Sequence, residues 1–100
     1  MAANAIRFGV VGLRAGLGGA MSASRQGGDQ VRLAAICDAD ADRLAEIQAK
    51  VGDEVAGFTD FGEMLEAGLD AVYIATPPAS HAPLSIQALE AGVHVHVEKP

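Results

Sequence analysis

Ile6-Arg-Phe-Gly-Val-Val-Gly-Leu-Arg-Ala-Gly-Leu-Gly-Gly19 reads as a short apolar strand running directly into a glycine-rich turn that opens a helix. Phe8, Val10 and Val11 carry the strand character, and Gly12, Gly16, Gly18 and Gly19 free the backbone just beyond it. Bare peptide N–H groups then gather at the positive end of a helix, where a phosphate can sit. Glycine spacing of this kind is easily matched by chance, so its meaning depends on the residues further along the chain.

Working outward, Leu17, Ala20 and Met21 fall at helical spacing, and Gly27-Gly28 supplies a stop. Val31 to Cys37 is a second apolar strand ended by Asp38. Asp40 is placed to cap a helix in which Leu44, Ile47 and Val51 share one face, and Gly52 closes it. Glu54 to Phe58 makes a short third strand. Asp60-Phe-Gly-Glu63 has the form of a capping box, with its helix expected to end at Gly68. Leu69 to Thr76 is mostly apolar, as a strand covered on both faces is, and Pro77-Pro78 stops it. A further helix starts near Ser80, with Pro83 in its first turn, Ala82, Ile86 and Leu89 as its buried stripe and Gly92 beyond its end. Val93 to Val97 is the last strand. Strands alternating with helices across short turns predict an α/β domain built on a doubly wound parallel sheet, five strands in order 3-2-1-4-5.

Composition narrows the function classes. Half of the 100 residues are hydrophobic and 20% charged, which suits one globular domain. A formal net charge of −6 leaves no basic face for nucleic acid. Cys37 is the single cysteine, so no disulfide framework is expected. No basic stretch followed by an apolar run opens the chain, and no segment reaches the roughly 18 to 20 apolar residues of a membrane span. A cytoplasmic protein without membrane contact is the expectation. His94 and His96 have a possible metal-ligand spacing, but no third ligand accompanies them, so a packed or hydrogen-bonded pair is expected and no metal.

In such sheets ligands bind outside the carboxyl ends of the strands, where strand order reverses. Four segments converge there: the turn at Gly12, Asp38, Thr76-Pro77-Pro78, and Glu98-Lys99. Gly12, Leu13, Arg14, Ala15 and Gly16 form the turn expected to offer N–H groups to the pyrophosphate of a dinucleotide. Arg14 stands where the second glycine of G-x-G-x-x-G falls, so its side chain either crowds the pyrophosphate or pairs with it. Asp38 ends the second strand, where a carboxylate can accept both hydroxyls of an adenosine ribose; the plain alternative is that it begins the loop or joins Asp40 in capping. A carboxylate there also repels a 2′-phosphate, which favours NAD over NADP, and Arg43 is the residue able to reverse that preference.

The ending Glu98-Lys99-Pro100, preceded by Ala91-Gly-Val-His-Val95, resembles the glucose–fructose oxidoreductase, inositol dehydrogenase and rhizopine-catabolism family. Asp70-Ala-Val-Tyr-Ile-Ala-Thr-Pro-Pro-Ala-Ser-His81 is similar to that family's fourth strand and its Thr-Pro-x-x-x-His turn, and the likeness covers nearly the whole chain. It implies an NAD(P)-dependent oxidoreductase moving hydride between nicotinamide and a secondary alcohol of a sugar, inositol or polyol. It implies that Thr76, Pro77 and Pro78 wall the nicotinamide, that His81 faces the cofactor, and that Glu98 orients the nicotinamide ribose. Lys99 would reach the substrate hydroxyl, its ammonium stabilising the developing alkoxide. Against each stands a plainer reading: strand termination, a first-turn histidine, a solvated ion pair.

The family also carries a second, mostly antiparallel α+β domain with the substrate pocket. Residues 1–100 are therefore expected to be the dinucleotide-binding domain, truncated before that part, without useful turnover alone and homo-oligomeric as a full-length protein. Three alternatives remain. An NAD-dependent glycosidase accumulates no net NADH, a non-catalytic NAD-sensing regulator makes no demand on Lys99, and a nucleotide-free α/β module gives no heat on titration with NAD or NADP.

Overall fold

The structure is a computed structural model, which describes residues 6–13 and 31–97. Its elements are β1 (Ile6–Val11), β2 (Val31–Cys37), α1 (Ala41–Val51), β3 (Ala56–Phe58), α2 (Phe61–Leu65), β4 (Ala71–Ile74), α3 (Pro78–Glu90) and β5 (His94–Val97). The helix expected directly after the glycine turn, Leu17 to Met21 included, lies outside the described residues. The five strands form one sheet in the order β3-β2-β1-β4-β5, and every pairing is parallel. The doubly wound order 3-2-1-4-5 is thus present, with β1 at the centre and the reversal of direction beside it.

Side chains alternate across the sheet and build a core on each face. On one, Val11, Ala35, Cys37, Val72 and Ile74 meet Phe61 and Met64 of α2 and Ala88 of α3. On the other, Phe8, Val10, Leu33 and Ile36 meet Ile47 of α1 and Val55. Gly9 keeps the first face low: a Cβ there would stand 2.8 Å from the Leu69 side chain and 3.1 Å from the Met64 sulfur. The register slips by one residue between Phe8 and Gly9, which pair with Leu33 and Ala35.

Local chemistry sets the helix ends. Asp40 caps α1, its carboxylate accepting from the Asp42 and Arg43 N–H groups, and Gly52 closes it at φ 94°. Asp60 accepts from Glu63 N–H at the start of α2. That helix stops at Leu65, short of the expected Gly68, because Glu66 and Ala67 turn back onto Glu63 and Met64 through their own N–H groups. The third strand likewise begins at Ala56 and not at Glu54, since Gly52 and Val55 close a turn first.

Three further expectations are corrected. β4 is not covered evenly: Val72 and Ile74 are buried, while Ala71 and Tyr73 on its other face are half-buried. α3 begins at Pro78, two residues before Ser80, which puts Pro83 in the second turn. Its buried stripe is also shifted. Ala82 is exposed and Ile86 and Leu89 are 56% and 62% exposed, whereas Ala88 is fully buried with Leu84 beside it. Both stripes are apolar at helical spacing, and the small Ala88 is the one that lets the helix settle onto β5; its carbonyl accepts from Val93 N–H.

No helix among the described residues is long and apolar enough to cross a membrane. Met64 is fully buried between α2 and the sheet, so Met64→Ala should cost about 2–5 kcal/mol in urea unfolding. Leu89→Ala, on the exposed face of α3, should cost less than about 0.5 kcal/mol.

Candidate functional site

Three strand ends meet at Gly12. Its N–H donates to the Cys37 carbonyl at 2.9 Å, and Ala75 N–H donates to the Val11 carbonyl at 2.9 Å. Gly12 has φ 90°, and a Cβ would stand 2.8 Å from both the Ala75 carbonyl carbon and the Thr76 nitrogen. A side chain is excluded there twice, by backbone conformation and by the neighbouring strand end. The chain can therefore turn off β1 flush against β4.

Asp38 follows β2 directly and is anchored by its own N–H to the Phe58 carbonyl at 3.1 Å. One carboxylate oxygen accepts from Leu13 N–H at 3.0 Å, the other from Asp40 N–H at 2.9 Å. Arg43 brings Nε to 3.9 Å from the first of these oxygens. Across β1, the end of β4 runs through Thr76 and Pro77 into α3. His81 Nε2 lies 2.6 Å from the Thr76 carbonyl. A carbonyl only accepts, so that nitrogen carries the proton.

Between these walls lies a cleft of about 470 Å³. Val11, Cys37 and Ala75 line it from the strand ends, Asp38 and Arg43 from one side, and Thr76, Pro77 and Ser80 from the other. Cys37 is 2% exposed. Burial, together with the Asp38 and Asp60 carboxylates, pushes its thiol up to about 11, so it contributes a small neutral surface. Thr76 Oγ1 is buried and has no hydrogen-bond partner among the described residues. A buried hydroxyl left open beside a cleft suits a ligand that brings its own polar atoms.

The structure thus brings Gly12, Leu13, Asp38, Thr76, Pro77 and His81 to one end of the sheet. Leu13 is 3% exposed and commits its N–H to Asp38. His81 commits its ring to the Thr76 backbone. Arg14, Ala15, Gly16, Glu98 and Lys99 lie outside the described residues. Ser80 and Thr59 also line the cleft. Applying the strand-end rule to β3 as well as to its neighbours would have found Thr59 from sequence. His94 and His96 are exposed on β5, with His96 stacked on Tyr73 at 5.0 Å between ring centroids. Among the described residues no cluster of three or more His, Cys, Asp or Glu side chains is positioned to hold a metal ion.

A parallel sheet in this order, with a glycine turn after β1 and a carboxylate at the tip of β2, defines a dinucleotide-binding α/β domain. Residues 6–100 match the model of the oxidoreductase family with an NAD-binding Rossmann fold, and the chain belongs to that family. Inositol 2-dehydrogenase 1 of Saccharopolyspora erythraea is 40% identical over 70 residues, 69% of this chain. The chain spans only 21% of that relative's length. The WlbA dehydrogenase from Bordetella pertussis, solved with NADH and UDP-GlcNAcA, superposes with a TM-score of 0.88 at 35% identity, covering 96% of this chain and 30% of that one. The scyllo-inositol dehydrogenase from Lactobacillus casei, solved with NAD(H) and scyllo-inositol, gives 0.78 at 31% identity, covering 96% and 28%.

Gly12→Ala should destabilise the domain by about 1–3 kcal/mol, read from denaturant midpoints, through strain at positive φ and the clash with β4. Cys37 should resist iodoacetamide at pH 8 in the folded protein and react on unfolding. Its raised thiol pKa binds the proton more tightly in the folded state, so stability should fall as pH rises from about 9 to about 11. Cys37→Ala should remove that part of the pH dependence in unfolding titrations.

Proposed function

We propose that the protein carrying this domain is an NAD-dependent dehydrogenase acting on a secondary alcohol of a sugar, inositol or related polyol. The observation that supports this most is the Asp38 carboxylate, set at the tip of β2 beside the Gly12 turn and lining the cleft. Its oxygens match the paired hydroxyls of an adenosine ribose, and its charge disfavours a 2′-phosphate. The Gly12 and Leu13 amides are taken by Cys37 and Asp38, so Arg14, Ala15 and Gly16 would be the part of the turn that supplies amides to the pyrophosphate. Thr76 and Pro77, shaped by the His81 bond, would wall the cofactor on the β4 side. The nicotinamide supplies a hydride acceptor.

β5 ends at Val97, at the same end of the sheet as the cleft, and Glu98 and Lys99 come next in the sequence. In this reading Glu98 orients the ribose next to the nicotinamide. Lys99 directs its ammonium at the substrate oxygen and stabilises the negative charge that develops there. The substrate pocket and the general base come from parts of the protein outside this chain, consistent with relatives of much greater length. Relatives named as inositol dehydrogenases, and a dehydrogenase solved with UDP-GlcNAcA, support the polyol class of substrate. A homo-oligomer working in the cytoplasm completes the reading.

Calorimetric titration should show NAD binding tighter than NADP, and Asp38→Ala should weaken NAD at least tenfold, about 1.4 kcal/mol. Absence of heat with either nucleotide would sink the proposal. In the full-length protein Lys99→Ala should lower kcat by about a hundredfold or more, roughly 2.7 kcal/mol in the barrier, while NAD still binds. Unchanged turnover would remove Lys99 from its role.

A further inference from the structure

The two ends of β5 are held by different means. Its amino end is tied by backbone bonds, His94 N–H to the Asp70 carbonyl at 3.0 Å and Val93 N–H to the Ala88 carbonyl at 3.0 Å. Among the described strands it pairs with β4 alone, in the register Ala71–His94, Val72–Val95, Tyr73–His96 and Ile74–Val97. Val95 and Val97 turn to the face shared with α2 and α3 and pack on that core. His94 and His96 turn to the other face and are exposed. There His94 stands opposite Ala71, which offers only a methyl group, and His96 stands opposite Tyr73. The two rings stack, with centroids 5.0 Å apart and an interplanar angle of 25°. Tyr73 in turn packs on the second core, and its partner in β1 is the fully buried Val10. His96 is thus the residue through which β5 reaches that second core, one position before the strand ends at Val97.

Resting on the reading that Lys99 stabilises the charge developing on the substrate oxygen, we propose that His96 is a positioning residue for that group, acting through its stack on Tyr73. The stack fixes the carboxyl end of β5 against the centre of the sheet. Lys99 is three residues further along the sequence, so at most roughly 10 Å of chain separates it from this anchor. Neither ring needs a charge or a hydrogen bond for the contact, because an aromatic pair across two strands aligns them by dispersion and by the ring quadrupoles. Without it, that end of β5 rests on its ladder to β4 and on the packing of Val97, and its angle to the sheet is less well fixed. A single exposed pair contributes little to global stability, whereas a reacting group displaced by about 1 Å costs a reaction dearly. The contact therefore matters more for where the strand ends than for whether the domain folds.

The test follows NADH formation by the full-length protein, with an inositol or aldose that the native protein oxidises, alongside calorimetric titration with NAD. His96→Ala should lower kcat about fivefold or more, while the Kd for NAD changes less than about twofold. His96→Phe, which keeps a ring and removes both nitrogens, should restore kcat to within about twofold of the native value. Tyr73→Leu should reproduce the fall, and His96→Ala added to it should lower kcat no further, because the imidazole then has no ring to stack on. In a Lys99→Ala background, His96→Ala should leave the residual rate unchanged, since no ammonium is left to misplace. The His96 variants carry the test alone should Tyr73→Leu, half-buried as Tyr73 is, fail to fold. An unchanged kcat in His96→Ala, or one that His96→Phe leaves low, overturns the inference with the role of Lys99 intact. Full turnover in Lys99→Ala, or a native protein that oxidises none of these compounds, removes the reading on which the inference rests.

Discussion

The close approach of three strand ends at Gly12 is the constraint on which the rest of this end of the molecule depends. A hydrogen bond to Cys37, a hydrogen bond from Ala75 to the preceding residue and the lack of a Cβ at φ 90° bring β2, β1 and β4 within contact of one residue. Asp38, the next residue after β2, is thereby delivered to the side of the turn, where it accepts Leu13 N–H. Thr76, the second residue after β4, is delivered to the opposite side. A side chain at position 12 would push these walls apart.

An acidic chain that holds an anionic cofactor is not paradoxical, because the two charges act over different distances. Backbone amides act at short range, whereas net charge is spread over the surface and screened within about 10 Å of salt solution. The same locality would let one carboxylate bias the choice of cofactor. It needs to act only on a group adjacent to it.

How much of this was legible depended on the range of the determining interaction. Strand order, the strand-end clustering of Gly12, Asp38 and Thr76, and the caps at Asp40 and Gly52 follow from local patterns, and they were readable. The buried face of α3 was not. Ala82, Ile86 and Leu89 form as good an apolar stripe as Leu84 and Ala88, and only the fit of the helix against β5 decides between them. The half-buried face of β4 escaped for a similar reason, since an apolar run does not reveal how much lies over each side. The bond from His81 to the Thr76 carbonyl spans five residues across a helix start, and residue type alone does not show where the ring turns.

Pro83 has a further consequence. Lacking an N–H, it leaves the Ala79 carbonyl without the usual donor four residues on, so α3 is stitched less firmly between its opening turn and its body. The body is pinned to β5 through Ala88, and the opening turn borders the cleft through Ser80. The helix thus has one rung missing between a stem anchored in the core and the short leading segment beside the cleft.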